Sequence, residues 1–149
     1  DEFHARASAK EKEYSYTIDN APFKDVFSRR YALHIGQKLD VEAMQTAASY
    51  LVGKHDFSSF RAAGSDVKGN IRIMTKAQLY QKDDFTKIVF RANGYLYKMI
   101  RIIVGTLIQV GGGKRSPEDM KTIIEARSRD AAGPTALPHG LCLNKVIYK

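Results

Sequence analysis

The run FRANGYLYKMIRIIVGTLIQVGGG, residues 90–113, is the most apolar stretch of the chain, yet Lys98 and Arg101 sit in its midst. Laid on a helix over residues 97–110, the side chains of Met99, Ile100, Ile102, Ile103, Val104, Leu107, Ile108 and Val110 cover most of the circumference. Only Lys98, Arg101, Gly105 and Gln109 share the remaining narrow face. A helix that is apolar on nearly every side is buried on nearly every side, so this face is expected to look into a cleft rather than onto open solvent. Gly105 points the same way: glycine inside a helix costs roughly 1 kcal/mol against alanine and usually marks the close approach of another group. Arg101 is then the residue to explain. By periodicity alone, a pairing with a structural carboxylate ranks above a catalytic role.

A chain of 149 residues with 44% hydrophobic side chains suits one compact domain, residues 1–149, with one core. No run reaches the length of a membrane span, because Lys98 and Arg101 interrupt the longest apolar segment. The single cysteine, Cys142, excludes an internal disulfide, disfavours a Cys-rich metal site and points to a reducing, intracellular setting. A net charge of +8 favours an anionic partner. The sequence opens at Asp1 with neither a methionine nor an apolar leader, and reads as a piece of something longer.

Small or apolar residues alternate with polar ones over residues 3–9, and the phase then flips to Tyr14, Tyr16 and Ile18. That change predicts two extended pieces joined by a bulge or bend near residues 10–13, ending at Asn20-Ala21-Pro22. Residues 23–38 read as loop with a short extended piece around 30–34. Asp40 caps a helix whose stripe is Val41, Met44, Ala48 and Leu51, closed by Gly53. A turn with a short helical piece capped by Asp56 follows over residues 55–61. Two strands are predicted next, one with Ile71, Ile73, Ala77 and Leu79 on one face, the other with Ile88, Phe90 and Ala92; residues 81–84 join them as an antiparallel hairpin. Gly111-Gly112-Gly113 ends the central helix, and Ser116-Pro117-Glu118-Asp119 starts another, which buries Met120, Ile123 and Ile124. A loop over residues 131–140 and a final strand over 141–148 complete the chain. The expected class is α+β: a mostly antiparallel sheet with helices packed on one face.

Several chemistries fail on spacing. Gly111-Gly112-Gly113-Lys114 is no phosphate loop, because the glycine required five places before Gly113 is Ile108, and Arg115 stands where Ser or Thr should bind magnesium. His4, His34, His55 and His139 have no zinc-ligand spacing. Ser58 and Ser59 lie on no nucleophile elbow, and Cys142, in a strand pattern, is expected to be a small buried thiol.

Four stretches carry further information in their order and spacing: residues 1–16 (DEFHARASAKEKEYSY), 53–64 (GKHDFSSFRAAG), 91–114 (RANGYLYKMIRIIVGTLIQVGGGK) and 129–148 (RDAAGPTALPHGLCLNKVIY). Together, across nearly the whole chain, they resemble the C-terminal half of the tRNA pseudouridine synthase A family. The resemblance implies a cytoplasmic homodimer that isomerises uridines 38 to 40 in the anticodon arm of tRNA, with no metal or organic cofactor. It implies a substrate-binding tyrosine at Tyr14 and, at Arg101, the arginine that supports the catalytic aspartate. That aspartate belongs to an Arg-Thr-Asp-x-Gly-Val-His motif in the family's N-terminal half, and no such run occurs here, so the chain alone is expected to be inactive.

This sequence departs from the family pattern at Glu13 and Ser15, where members often carry arginine, at Lys98, which replaces a common histidine, and at Gly69 and Asn70. Arg6, Lys68, Arg72, Lys98, Lys114 and Arg115 remain the expected phosphate contacts. The rival expectation, from the +8 charge and the missing aspartate, is a stand-alone RNA-binding or dimerisation module without chemistry.

Overall fold

The computed structural model describes residues 9–24, 27, 30–64 and 69–148. Among them the chain is α+β: six strands form one mostly antiparallel sheet, and three helices pack against it. The strands are β1 (Ala9–Asp19), β2 (Leu33–His34), β3 (Gly53–Asp56), β4 (Ile71–Lys82), β5 (Phe85–Ala92) and β6 (Leu141–Tyr148). The helices are α1 (Val41–Ser49), α2 (Met99–Gly111) and α3 (Asp119–Ala126). Strand β1 has β5 along one edge. Along the other it has β6 beside residues 9–16 and the two-residue parallel strand β2 beside Ile18 and Asp19. Beyond β5 lie β4 and then β3.

The expected alternation over residues 3–8 lies outside the described residues. From Ala9 onward β1 is one continuous strand, and the predicted irregularity near residues 10–13 takes the form of two register shifts against β6, between Ala9 and Glu11 and between Glu13 and Tyr14. Tyr14, Tyr16 and Ile18 point inward with their partners Phe90, Ile88 and Thr86 on β5. Glu13 and Ser15 point to the outer face.

The face assigned to β4 needs correction. Ile71 and Ile73 are exposed, whereas Met74, Ala77 and Leu79 are buried. A bulge between Met74 and Lys76 inserts Thr75 opposite β5 and flips the alternation, so the strand's first isoleucines face out. The hairpin itself is as read, closed by the two residues Asp83 and Asp84, with Asp83 at φ 55°.

A second correction concerns β3, read as a helix end and a turn. Its sequence GKHD has no apolar alternation because it is a short edge strand paired only with β4. Asp56 was expected to cap the helical piece that follows; the N-cap of the short 3-10 turn Ser58–Phe60 is instead Phe57, and the Asp56 carboxylate, one residue earlier, accepts from the Ser58 N–H at 2.9 Å. Past the end of β3, the Gln45 side chain of α1 stands in for a neighbouring strand: its amide donates to Ala77 O (3.2 Å) and accepts from Leu79 N (2.8 Å).

Asp40 caps α1 through Ala43 N at 3.0 Å, and Met44, Ala47 and Ala48 are buried. Helix α3 begins at Asp119, after a tight first turn: Asp119 N–H and Met120 N–H donate to Ser116 O and Pro117 O. Ser116 N–H donates back to Asp119 Oδ2, half of the predicted capping box. Met120 and Ile123 are buried and Ile124 is half-buried. Cys142, expected to be buried, is exposed, because β6 is an edge strand covered on neither side of that residue. Among the described residues no helix is long and apolar enough to cross a membrane.

The bulge makes neighbouring residues energetically unequal. Met74→Ala is expected to cost about 2–5 kcal/mol in denaturant unfolding, by loss of a fully buried side chain, and Ile73→Ala under about 1 kcal/mol. The unbulged alternation read from the sequence predicts the reverse order.

Candidate active site

Helix α2 starts at Met99, two residues later than its periodicity suggested, and runs through Gly111. Ten of its thirteen residues are buried. Lys98 is therefore not on the helical face; it is the preceding residue, in the left-handed conformation at φ 59°, and exposed. The narrow polar face is roofed rather than open to a cleft, and the roof is the segment from Ala131 to Gly140. At Gly105 a Cβ would lie 1.7 Å from Pro134 O, so only glycine lets that backbone settle on the helix. This is the close approach that a mid-helix glycine signals.

One turn earlier, Arg101 and Ala136 exchange bonds. The Arg101 Nε–H donates to Ala136 O at 2.8 Å, and Ala136 N–H donates to Arg101 O at 2.9 Å. The expected structural carboxylate is absent among the described residues: the ion pairs there are Arg91–Glu13 and Arg127–Asp56. The Arg101 guanidinium is half-buried, fixed at its Nε edge, with its two terminal nitrogens left without a protein partner among the described residues.

The same segment reaches β1. Tyr16, fully buried, donates its hydroxyl to Leu137 O at 2.5 Å, and Gly140 lies against its ring. Burial pushes the Tyr16 phenol up from 10.0 to about 12, opposed by the nearby positive charge of Arg101. Tyr14 lies on the same face, two residues or about 7 Å along the strand. It is half-buried against the core, and its ring meets Tyr95 edge to face at 4.9 Å and 85°. Arg101 and Tyr16 thus flank one region at the junction of α2, β1 and the 131–140 segment, and Tyr14 stands one pleat further along β1.

Two supports of this region carried no signal in the sequence. Tyr95 donates its hydroxyl to Lys12 O at 2.6 Å, tying the approach to α2 onto β1 beside Tyr14. On the outer face, Arg91 pairs with Glu13 at 2.8 Å, Asn144 donates to Glu13 at 3.1 Å, and Ser15 donates to Asn144 at 2.9 Å. The Arg91 hydrogen bond holds the Glu13 carboxyl below the usual carboxylate range. Glu13 and Ser15 are therefore partners in a network that joins β5, β1 and β6.

The expected phosphate contacts do not form one cluster. Arg6 and Lys68 lie outside the described residues. Arg72 and Lys98 sit near the start of α2, Arg72 packed along Gly94. Lys114 and Arg115 lie beyond its far end, about 20 Å away for a helix of this length. Arg115 is also committed internally, its Nε–H donating to Gln109 Oε1 at 2.6 Å. Among the described residues no group of three or more His, Cys, Asp or Glu could hold a metal ion.

The sequence places this sheet and its buried helix in a known family. Residues 47–149 match the family model described as tRNA pseudouridine synthase, and the chain belongs to that family. It is similar to the tRNA pseudouridine synthase A of Shouchella clausii, with 50% identity over 147 residues, covering 99% of this chain and 56% of the relative. It is similar also to that of Halalkalibacterium halodurans (51% over 140 residues; 94% and 53%) and of Moorella thermoacetica (50% over 147 residues; 99% and 60%). The chain thus spans a little over half the length of the curated relatives it matches.

Two outcomes test the geometry. In Gly105→Ala the gain in helix propensity, roughly 1 kcal/mol, is outweighed by a clash with a backbone oxygen that cannot move without breaking the Arg101–Ala136 pair, so a net loss of about 1–3 kcal/mol is expected in thermal or denaturant unfolding. Tyr16 is stabilised in its neutral form, so its contribution is complete below pH 10 and is lost as pH rises through about 12. A titration followed by tyrosinate absorbance should change in this upper range between wild type and Tyr16→Phe.

Proposed function

We propose that this chain is the C-terminal domain of a cytoplasmic, homodimeric tRNA pseudouridine synthase that converts uridines 38 to 40 of the anticodon arm to pseudouridine. A preceding domain brings the catalytic aspartate, and this chain alone is inactive. The observation that carries the reading is the Arg101 guanidinium, anchored at one edge by Ala136 and left with a terminal fork that no described residue fills.

The chemistry requires the uracil to be freed from its sugar at N1, turned, and rejoined through C5, after which the C5 proton is lost. No metal or organic cofactor is required for these steps. The base must first leave the helical stack, which costs a few kcal/mol, and stacking on an aromatic face returns roughly 1–3 kcal/mol. Tyr14 is the face proposed for that role. Its half-buried ring is held edge to face with Tyr95, and its phenol is proposed to sit near the C5 proton.

Arg101 acts on the aspartate rather than on the base. With Nε engaged by Ala136, the two terminal nitrogens present an end-on pair of N–H donors matched to the two oxygens of a carboxylate. Such a pair keeps the aspartate ionised at neutral pH and fixes its direction of approach. Lysine, a point charge on a flexible stem, cannot reproduce the fork. The net charge of +8 suits the phosphate backbone of tRNA as partner.

In the parent protein, assayed for pseudouridine formation in unmodified tRNA, Arg101→Ala and Arg101→Lys are each expected to lower turnover about 100-fold, with tRNA affinity little changed. Tyr14→Phe keeps the ring and hence binding, but slows turnover. Activity of Arg101→Ala within twofold of wild type would remove the role given to this residue.

A further inference from the structure

Immediately before α2, Tyr97 breaks the burial pattern of its neighbours. Leu96 and Met99 are 3% and 1% exposed, whereas Tyr97 is 46% exposed. Its backbone is nevertheless fixed, because Tyr97 O accepts from Ala62 N–H at 3.0 Å and Met99 N–H closes a turn onto Leu96 O at 3.0 Å. The left-handed backbone of Lys98 completes that turn, and the Lys98 ammonium lies 5.2 Å above the centre of the Tyr97 ring. A flat aromatic surface is thus presented at the protein surface from a fixed backbone, beside a cation on a four-carbon stem, about one helical turn before Arg101.

We propose that Tyr97 and Lys98 form a second nucleotide subsite, which stacks the unpaired loop nucleotide adjacent to the target uridine. The proposal rests on the reading of the chain as a pseudouridine synthase domain and adds to it a place for the neighbour of the extruded base. A base and an ammonium compete for the same ring face, as both are attracted to it. When the base stacks, the ammonium is displaced on its four-carbon stem toward that nucleotide's own phosphate. One nucleotide therefore satisfies both side chains. Arg72, which packs along Gly94 at the turn leading into this segment, adds a second cation on the approach. A merely solvated tyrosine needs neither the fixed backbone nor the cation above the ring, and it makes no demand on the identity of an aromatic at this position.

The test uses the full 149-residue chain and a synthetic anticodon stem–loop RNA with 2-aminopurine next to the target uridine. Binding of wild type should quench the fluorophore by stacking. Tyr97→Phe should keep both affinity and quenching. Tyr97→Leu and Tyr97→Ala, checked for unchanged melting, should lose the quenching and raise Kd roughly tenfold. Lys98→Ala should leave the quenching in place but reduce the slope of log affinity against log salt by about 0.7, the value for one phosphate of a single strand. Wild-type binding with quenching that survives in Tyr97→Leu overturns the subsite while leaving the proposed function intact. Absence of any salt-dependent binding by wild type likewise overturns the subsite on this chain and leaves intact the proposed function, which the Arg101 variants of the parent protein test.

Discussion

The contact on which the structure depends is a carbonyl oxygen laid against a helix where a side chain is missing. Helix α2 is too apolar to leave any side in water, and the sheet and α1 cover only part of it. The remaining side is closed by an irregular segment, whose polar backbone must find partners once it is buried. Gly105 allows Pro134 O to come within contact of the helix, and two carbonyls just beyond it are then satisfied by side chains: Ala136 O by Arg101 and Leu137 O by Tyr16. One small residue thereby sets the positions of two polar groups on two different elements.

That arrangement leaves a guanidinium half used. Fully paired, Arg101 would be a structural residue; fully solvated, its direction would be undefined. Holding Nε while releasing the two terminal nitrogens gives a charge with a fixed aim, which is what a site completed by another domain requires. Strand β1 is held with similar firmness from both faces, by Tyr95 on the inside and by the Glu13–Arg91–Asn144 network on the outside. Tyr14 therefore sits on a strand that has little freedom to shift relative to α2.

Much of this was legible in the sequence because it depends on local pattern. The oily helix, its one interior glycine, the hairpin, the Asp40 cap and the inward set Tyr14, Tyr16 and Ile18 follow from period and punctuation. What escaped depends on partners distant in the chain. The extra residue at Thr75 is invisible until β4 is laid against β5, and it exchanges Ile71 and Ile73 for Met74 at the core. Strand β3 has no apolar signal, since only one edge of it is paired. The closure of the expected cleft by residues 131–140, and the service of Glu13 and Ser15 as partners of Asn144 rather than as surface groups, required the placement of a segment more than a hundred residues from β1. The role proposed for the helical arginine comes from family resemblance; periodicity alone left a carboxylate partner within the chain as the expectation.

The central claim is that Arg101 carries an empty fork awaiting a carboxylate from outside this chain. Nitrogen-15 NMR of the arginine guanidinium groups tests it directly, in the isolated chain and in a parent protein carrying the proposed preceding domain. The account predicts a protected Arg101 Nε–H in both, rapidly exchanging terminal N–H groups in the isolated chain, and slowed, resolved ones in the parent. Terminal N–H groups already slowed in the isolated chain, or equally free in the parent, would contradict it.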